Sequence, residues 1–194
     1  MQSDRAVKRN GKNIVVAVTA ASGAIYARLT IEALLHCEDV ARIALIYSRH
    51  AAEVAEYEGV TMPADERVVI YPNDDMFAPP ASGSARFDAM IVVPCSAGTL
   101  GRIAAGVSQT LIERAADVML KERRPLVLAL REAPYSLLHI RNMAAVTECG
   151  AVVVPASPSF YSRPQTIEAL CGTVVERILA HAGIDAEHYE WNGR

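Results

Sequence analysis

The side chains able to do chemistry crowd one stretch, Glu113 to Glu132, which reads ERAADVMLKERRPLVLALRE. It holds Arg114 and Lys121 and ends on the charged pair Arg131-Glu132, and arginine and lysine can add charge-assisted bonds to a phosphate-bearing ligand. The pair directly follows Leu126–Leu130, an unbroken apolar run of the kind that forms a strand covered on both faces. In parallel α/β sheets the ligand crevice opens at the carboxyl ends of such strands, so Arg131 and Glu132 are the first functional candidates. Charged residues after a strand are as often plain loop residues, and Arg114, Lys121, Arg123 and Arg124 would equally suit a solvated helix face. The other strand ends decide between these readings.

The elements around the stretch follow from periodicity. Ile112, Ala116 and Leu120 share one helix face, with Leu111, Ala115 and Met119 beside them and Arg114, Asp117 and Lys121 opposite. Asp117 and Lys121 stand four apart, a spacing that supports a helix. Pro125 stops it, with the turn at Glu122–Arg124. Upstream, strands are expected over 13–19, 41–47, 68–71 and 88–94, and helices over 25–36, from 49 to about 58, and to about 105. Between residues 59 and 86 the pattern gives way to Asn73-Asp74-Asp75 and a Pro/Gly/Ser loop, typical of a lid or an oligomer contact. Downstream come a helix over 136–148 capped by Gly150, a strand over 151–154 and a helix over 165–182. Strands alternating with helices make a three-layer α/β fold with a doubly wound parallel sheet, Rossmann-like or flavodoxin-like. The division expected is a disordered lead-in over 1–12, one domain over 13–182 and a tail over 183–194 carrying Trp191.

Composition narrows the class. The chain has 194 residues, is 52% apolar and carries a net charge of −3; its mean hydropathy is +0.17. That richness in apolar residues favours a buried sheet with apolar surface left for self-association. Nothing reaches the roughly 18 residues of a membrane span. The polar, basic start lacks a secretory core, so a cytoplasmic protein is expected. A nucleic-acid partner is not implied, and five scattered histidines and four unclustered cysteines imply no metal site. Cys95, between Pro94 and Ser96, is the one cysteine near a candidate site.

On a parallel sheet all strand ends share one edge. That edge gathers Ser22, Ser48, Ser96 with Thr99, Arg131 with Glu132, and the Ser157–Tyr161 turn. Ala20-Ala21-Ser22-Gly23 between strand and helix would aim backbone N–H groups and a helix start at an anion, although it is not GxGxxG and Ser22 alone reads best as a plain cap. The convergence makes a phosphate-bearing small ligand the default expectation.

TAASGAIY, PCSAGTL, LIERAADVMLKERRPLVLALREAP and PSFYSRPQT together resemble the UbiX/Pad family of flavin prenyltransferases, over about residues 13 to 182. The resemblance implies a dodecamer of a flavodoxin-like fold. It implies that reduced FMN receives a dimethylallyl group from dimethylallyl monophosphate at flavin N5 and then C6, without a metal. The prenylated FMN would serve UbiD-type decarboxylases. Carried over by position, the flavin contacts would be Ala21, Ser22, Gly23, Ser48, Ser96, Ala97, Gly98, Thr99 and Arg131. The prenyl-phosphate contacts would be Lys121, Tyr161 and Arg177, with Arg114 close by. Glu132 would be the acid/base and Glu58 a second active-site glutamate, and Trp191 would match a C-terminal aromatic. The chain departs from the family pattern at Ala20, where glycine is usual, at Arg49-His50 for lysine-alanine, and at Gln109-Thr110 for an asparagine pair.

Two other readings stand beside it. An FMN-dependent cysteine decarboxylase of the same fold would want a catalytic histidine and a PASANT-like segment where this chain has Pro94-Cys95-Ser96-Ala97-Gly98-Thr99. A non-catalytic flavin-binding subunit would leave Arg114, Lys121, Glu132, Tyr161 and Arg177 without a task.

Overall fold

In the computed structural model, residues 11–185 are described. The expectations for residues 1–10, for 186–194 and for Trp191 lie outside them. Strands β1 (Lys12–Val18), β2 (Val40–Tyr47), β3 (Val68–Tyr71), β4 (Ala89–Cys95), β5 (Leu126–Leu130) and β6 (Val152–Pro155) alternate with helices. The helices are α1 (Ala24–His36), α2 (Ala51–Tyr57), α3 (Ala97–Ala104), α4 (Leu111–Lys121), α5 (Leu137–Glu148) and α6 (Ile167–His181). The strand order is β3-β2-β1-β4-β5-β6 and every pairing is parallel. The three-layer, doubly wound α/β fold is therefore present, with its topological switch between β1 and β4.

The period of two divides each central strand between two cores. Ile14, Val16 and Val18 join Ala27, Ile31 and Leu34 of α1 and Val174, Val175 and Ile178 of α6. Val15 and Ala17 join Met90 and Val92 of β4, Leu100 of α3 and Leu111, Ala115 and Met119 of α4. Near 25 cal/mol per Å² of apolar surface, burial on both faces is the main stabilising term. Ile184 is buried in the first core, so the packed body reaches past the boundary expected at 182.

Element limits follow the sequence closely. β3 and β5 are as expected, β1 begins at Lys12, and Gly150 follows α5 with φ of 101°. The loop after β3 contains two single 3₁₀ turns, Pro79–Ala81 and Gly83–Ala85. The expected Asp117–Lys121 support for α4 is absent. Asp117 pairs instead with Arg114 at 2.7 Å, and Lys121 pairs with Glu122 at 2.6 Å.

Candidate active site

At the switch point the chain leaves β1 and β4 in opposite directions, and Thr19 joins the two departing loops. Its buried hydroxyl donates to the Pro94 carbonyl at 2.7 Å and accepts from the Ser96 N–H at 2.9 Å. One residue on, the Ala20 N–H donates to Ser48 Oγ at 3.0 Å, which ties in the end of β2. The ends of three neighbouring strands are thus drawn into one floor.

Glu58 reaches this floor from just beyond α2. Its carboxylate accepts from the Gly23 N–H at 2.9 and 3.0 Å and from the Ala24 N–H at 2.7 Å, the first donors of α1. Ser22 hydrogen-bonds it too, and Arg131 acts on it from the end of β5. Burial works to raise this carboxyl, but those hydrogen bonds and the Arg131 charge outweigh it and hold the group below the ordinary glutamate value. Two expectations change here. Ser22 is not the cap of α1: Gly23 is, with φ of 105°, a backbone shape that only glycine adopts easily, and its side-chain partner is missing. The α1 start does not await an external anion, because Glu58 already supplies one.

The facing wall is α3 and the start of α4. Ser96 caps α3 by accepting from the Thr99 N–H at 3.3 Å, and the two hydroxyls lie 3.1 Å apart. Thr99 accepts from Arg102 Nη2 at 3.1 Å, and Arg102 Nε donates to Glu113. Glu113 is 2% exposed and closes a capping box with Thr110, accepting from the Gln109 and Thr110 N–H groups at 3.0 Å each. Between these walls lies a cleft of about 320 Å³ lined by Ala20, Ser48, Arg49, Ser96, Thr99 and Arg102, among others. Arg102 and Glu113 were not among the sequence candidates. The Thr110–Glu113 spacing is a capping-box signal and could have pointed to Glu113, whereas Arg102 carried no signal of its own.

The remaining candidates separate into groups. Arg131 is half-buried, its N–H bonded to the Cys95 carbonyl, and the Glu132 carboxylate beside it accepts, among the described residues, only from the adjoining Ala133 N–H, at 3.0 Å. Ala21 lies on the loop after β1, and Ala97 and Gly98 open α3. Tyr161 is exposed in the turn before α6, and Arg177 lines a different cleft with Ser157, Ser159 and Thr173 along β6. Arg114 is held by Asp117 and by the Ala81 carbonyl, at 3.1 Å. Lys121 ends α4, which starts at the cleft and runs eleven residues, roughly 16 Å, away to the opposite edge of the sheet. There it lines a separate basic cleft with Arg123, Arg124 and His181. Of the candidates, Ser48, Ser96 and Thr99 line the cleft at the switch, Arg177 lines the cleft along β6, and Lys121 lies apart from both. Cys95 is wholly buried and its thiol is pushed up to about 12, so it offers no thiolate. Among the described residues, no group of three or more His, Cys, Asp or Glu is placed to hold a metal ion.

The family model described as Flavoprotein matches residues 2–179. The flavin prenyltransferase UbiX of Pseudomonas aeruginosa is 41% identical over 190 residues, covering 89% of this chain and 90% of its own. The solved structure of AnUbiX (PadA1) in complex with FMN and dimethylallyl pyrophosphate has a TM-score of 0.87 at 42% identity, covering 95% of this chain and 99% of its own. The dodecameric FMN-dependent UbiX-like decarboxylase of Escherichia coli O157:H7 has a TM-score of 0.85 at 37% identity, covering 93% and 100%. With its sheet switch, its cleft and these likenesses along nearly the whole chain, the protein belongs to the flavin prenyltransferase family of flavoproteins.

Proposed function

We propose that this chain is a flavin prenyltransferase that joins the dimethylallyl group of dimethylallyl phosphate to reduced FMN at N5 and C6, making prenylated FMN for a UbiD-type decarboxylase. The observation that carries the reading is the β1–β4 edge. There the cleft is lined by the hydroxyls of Ser48, Ser96 and Thr99 and by Arg49 and Arg102, the Arg131 N–H bonds the Cys95 carbonyl next to Ser96, and the Arg131 charge acts on Glu58. The residues fit FMN. Ser48, Ser96 and Thr99 offer hydroxyls, Ala20 and Ile112 offer apolar wall, and the volume falls within the range of small-molecule sites. Ala21, Ser22, Gly23, Ala97 and Gly98 present small residues where a ring can approach the backbone, and Arg131 closes that side.

When bound, reduced FMN supplies the two nucleophilic positions to which the prenyl group is joined. The rest falls to the protein. Arg114, Lys121 and Arg177 stabilise the negative charge that grows on the departing phosphate, and Tyr161 donates a hydrogen bond to it. Glu58 has its oxygens engaged by the α1 start and is held ionised, so it acts as a fixed anion beside the developing allyl cation. Glu132, whose carboxylate among the described residues accepts only its neighbour's N–H, moves the proton of ring closure: one is delivered to the prenyl double bond as C6 bonds to it, and the one released from C6 is taken up.

Because Lys121 lies at the far end of α4, it serves the site of a neighbouring copy, and the active assembly is a homo-oligomer, a dodecamer on the family pattern. Exposed Tyr57, Phe77, Leu137, Leu138 and Ile140 supply apolar surface for association. Free cysteines suit the reducing cytoplasm, which is the proposed location.

The test is anaerobic incubation of the protein with reduced FMN and dimethylallyl monophosphate, followed by mass analysis of the extracted flavin. A gain of one C5 unit is expected. An unmodified flavin with both the monophosphate and the diphosphate donor would defeat the reading. The shared site has its own test: Lys121→Ala and Glu132→Gln, each inactive alone, regain activity when co-expressed. Failure to regain it would place Lys121 in its own protomer's site.

A further inference from the structure

We propose that Arg102 is an additional flavin-binding residue, a clamp for the phosphate of FMN that Glu113 holds in position. The proposal rests on the flavin reading above and adds a contact to it. Arg102 stands on α3 six residues beyond Ser96 and lines the same cleft as Ser48, Ser96 and Thr99. Two of its donors are engaged. Nε binds Glu113, and Nη2 binds Thr99 Oγ1 at 3.1 Å. These bonds fix the plane of the guanidinium without exhausting its five N–H groups. Nη1 has no hydrogen-bond partner among the described residues and lies over the turn at Gly98, 3.5 Å from where a Cβ would stand.

Glu113 does not cancel this cation. Its other oxygen, Oε2, takes two backbone N–H groups of the α4 start, so its charge is shared with that helix end. Its burial makes it a rigid post, while the Arg102 side chain remains 47% exposed at the cleft. Arg49, also lining the cleft, has no partner among the described residues. The other candidate anion positions at this edge are taken, the α1 start by Glu58 and the α4 start by Glu113. That leaves the space beside Arg102, bordered by the hydroxyls of Ser48, Ser96 and Thr99, as the place where a phosphate gains most. A guanidinium fixed on one flank and open on the other suits a phosphate better than an ammonium would.

The experiment compares binding of FMN and of riboflavin, which lacks the phosphate, by flavin fluorescence quenching on the full chain. Arg102→Ala should weaken FMN by roughly ten- to a hundredfold, as loss of a charged hydrogen bond does, and change riboflavin by less than about twofold. Arg102→Lys should fall between, since it keeps the charge but not the fork. Glu113→Gln should weaken FMN selectively as well. Equal losses for both ligands in Arg102→Ala and Arg102→Lys would mean a structural role only and overturn the proposal, as would unchanged FMN affinity. A wild-type chain that binds neither ligand would overturn the flavin reading itself.

Discussion

Two helices, α1 and α4, each begin on a glutamate, and each in its own way. At α4 the glutamate is local: Glu113 is three residues beyond the cap Thr110, buried, and paired with Arg102. At α1 it comes from afar: Glu58 is 35 residues from Gly23, only partly buried, and acts together with Ser22 and Arg131. A buried local carboxylate chiefly holds structure together. A carboxylate delivered across the fold to an open edge keeps its charge where, on the proposed function, a ligand would arrive. The same hydrogen-bonding pattern thus does two jobs, separated by burial.

Substitutions can break this contrast. The largest effect is expected where a carboxylate is least engaged: Glu132→Gln should lower prenyl transfer by roughly 10²- to 10⁴-fold while leaving stability within about 0.5 kcal/mol. Turnover by flavin mass and thermal unfolding check the two halves. Glu113→Ala should do the reverse, costing roughly 2–3 kcal/mol because two helix-start N–H groups and Arg102 lose a buried partner. Denaturant unfolding measures it, and a loss below about 0.5 kcal/mol would show that burial does not separate the two sites. Glu58→Ala should cost less, about 1 kcal/mol, as for other helix caps.

The pH dependence sharpens the last case. The folded carboxyl of Glu58 lies below its ordinary value, so the native state binds its proton less readily than the unfolded chain does. Its stabilisation is therefore present at neutral pH and lost as pH falls through the folded pKa. The gap between wild type and Glu58→Ala should narrow on acidification. A gap that widened in acid would contradict the assignment.

These two helix starts also mark how far a sequence can be read. Periodicity and stop signals located β5 and the end of α4 to the residue, because Leu126–Leu130 and Pro125 act on their immediate neighbours. The parallel edge, with Ser22, Ser48, Ser96 and Arg131 on it, followed from strand–helix alternation alone. The cap of α1 was misread because its partner lies outside any local window; nothing near Ser22 announces Glu58. Arg102 went unnoticed for the same reason, its meaning coming from a glutamate one helix away. The distance of Lys121 from the cleft was hidden too, since spacing along a chain does not say which edge of the sheet a helix end reaches.

The Thr19 bridge bears on timing. One buried hydroxyl holds both loops at the switch where they begin, through the Pro94 carbonyl and the Ser96 N–H. The floor of the cleft then has little freedom to hinge, and opening is left to rim side chains such as Arg49. Exposed side chains change rotamer in picoseconds to nanoseconds, whereas hinge motions take microseconds to milliseconds. Entry and exit at this edge would keep the faster clock, and any slower gate would have to come from the proposed contact with a neighbouring copy.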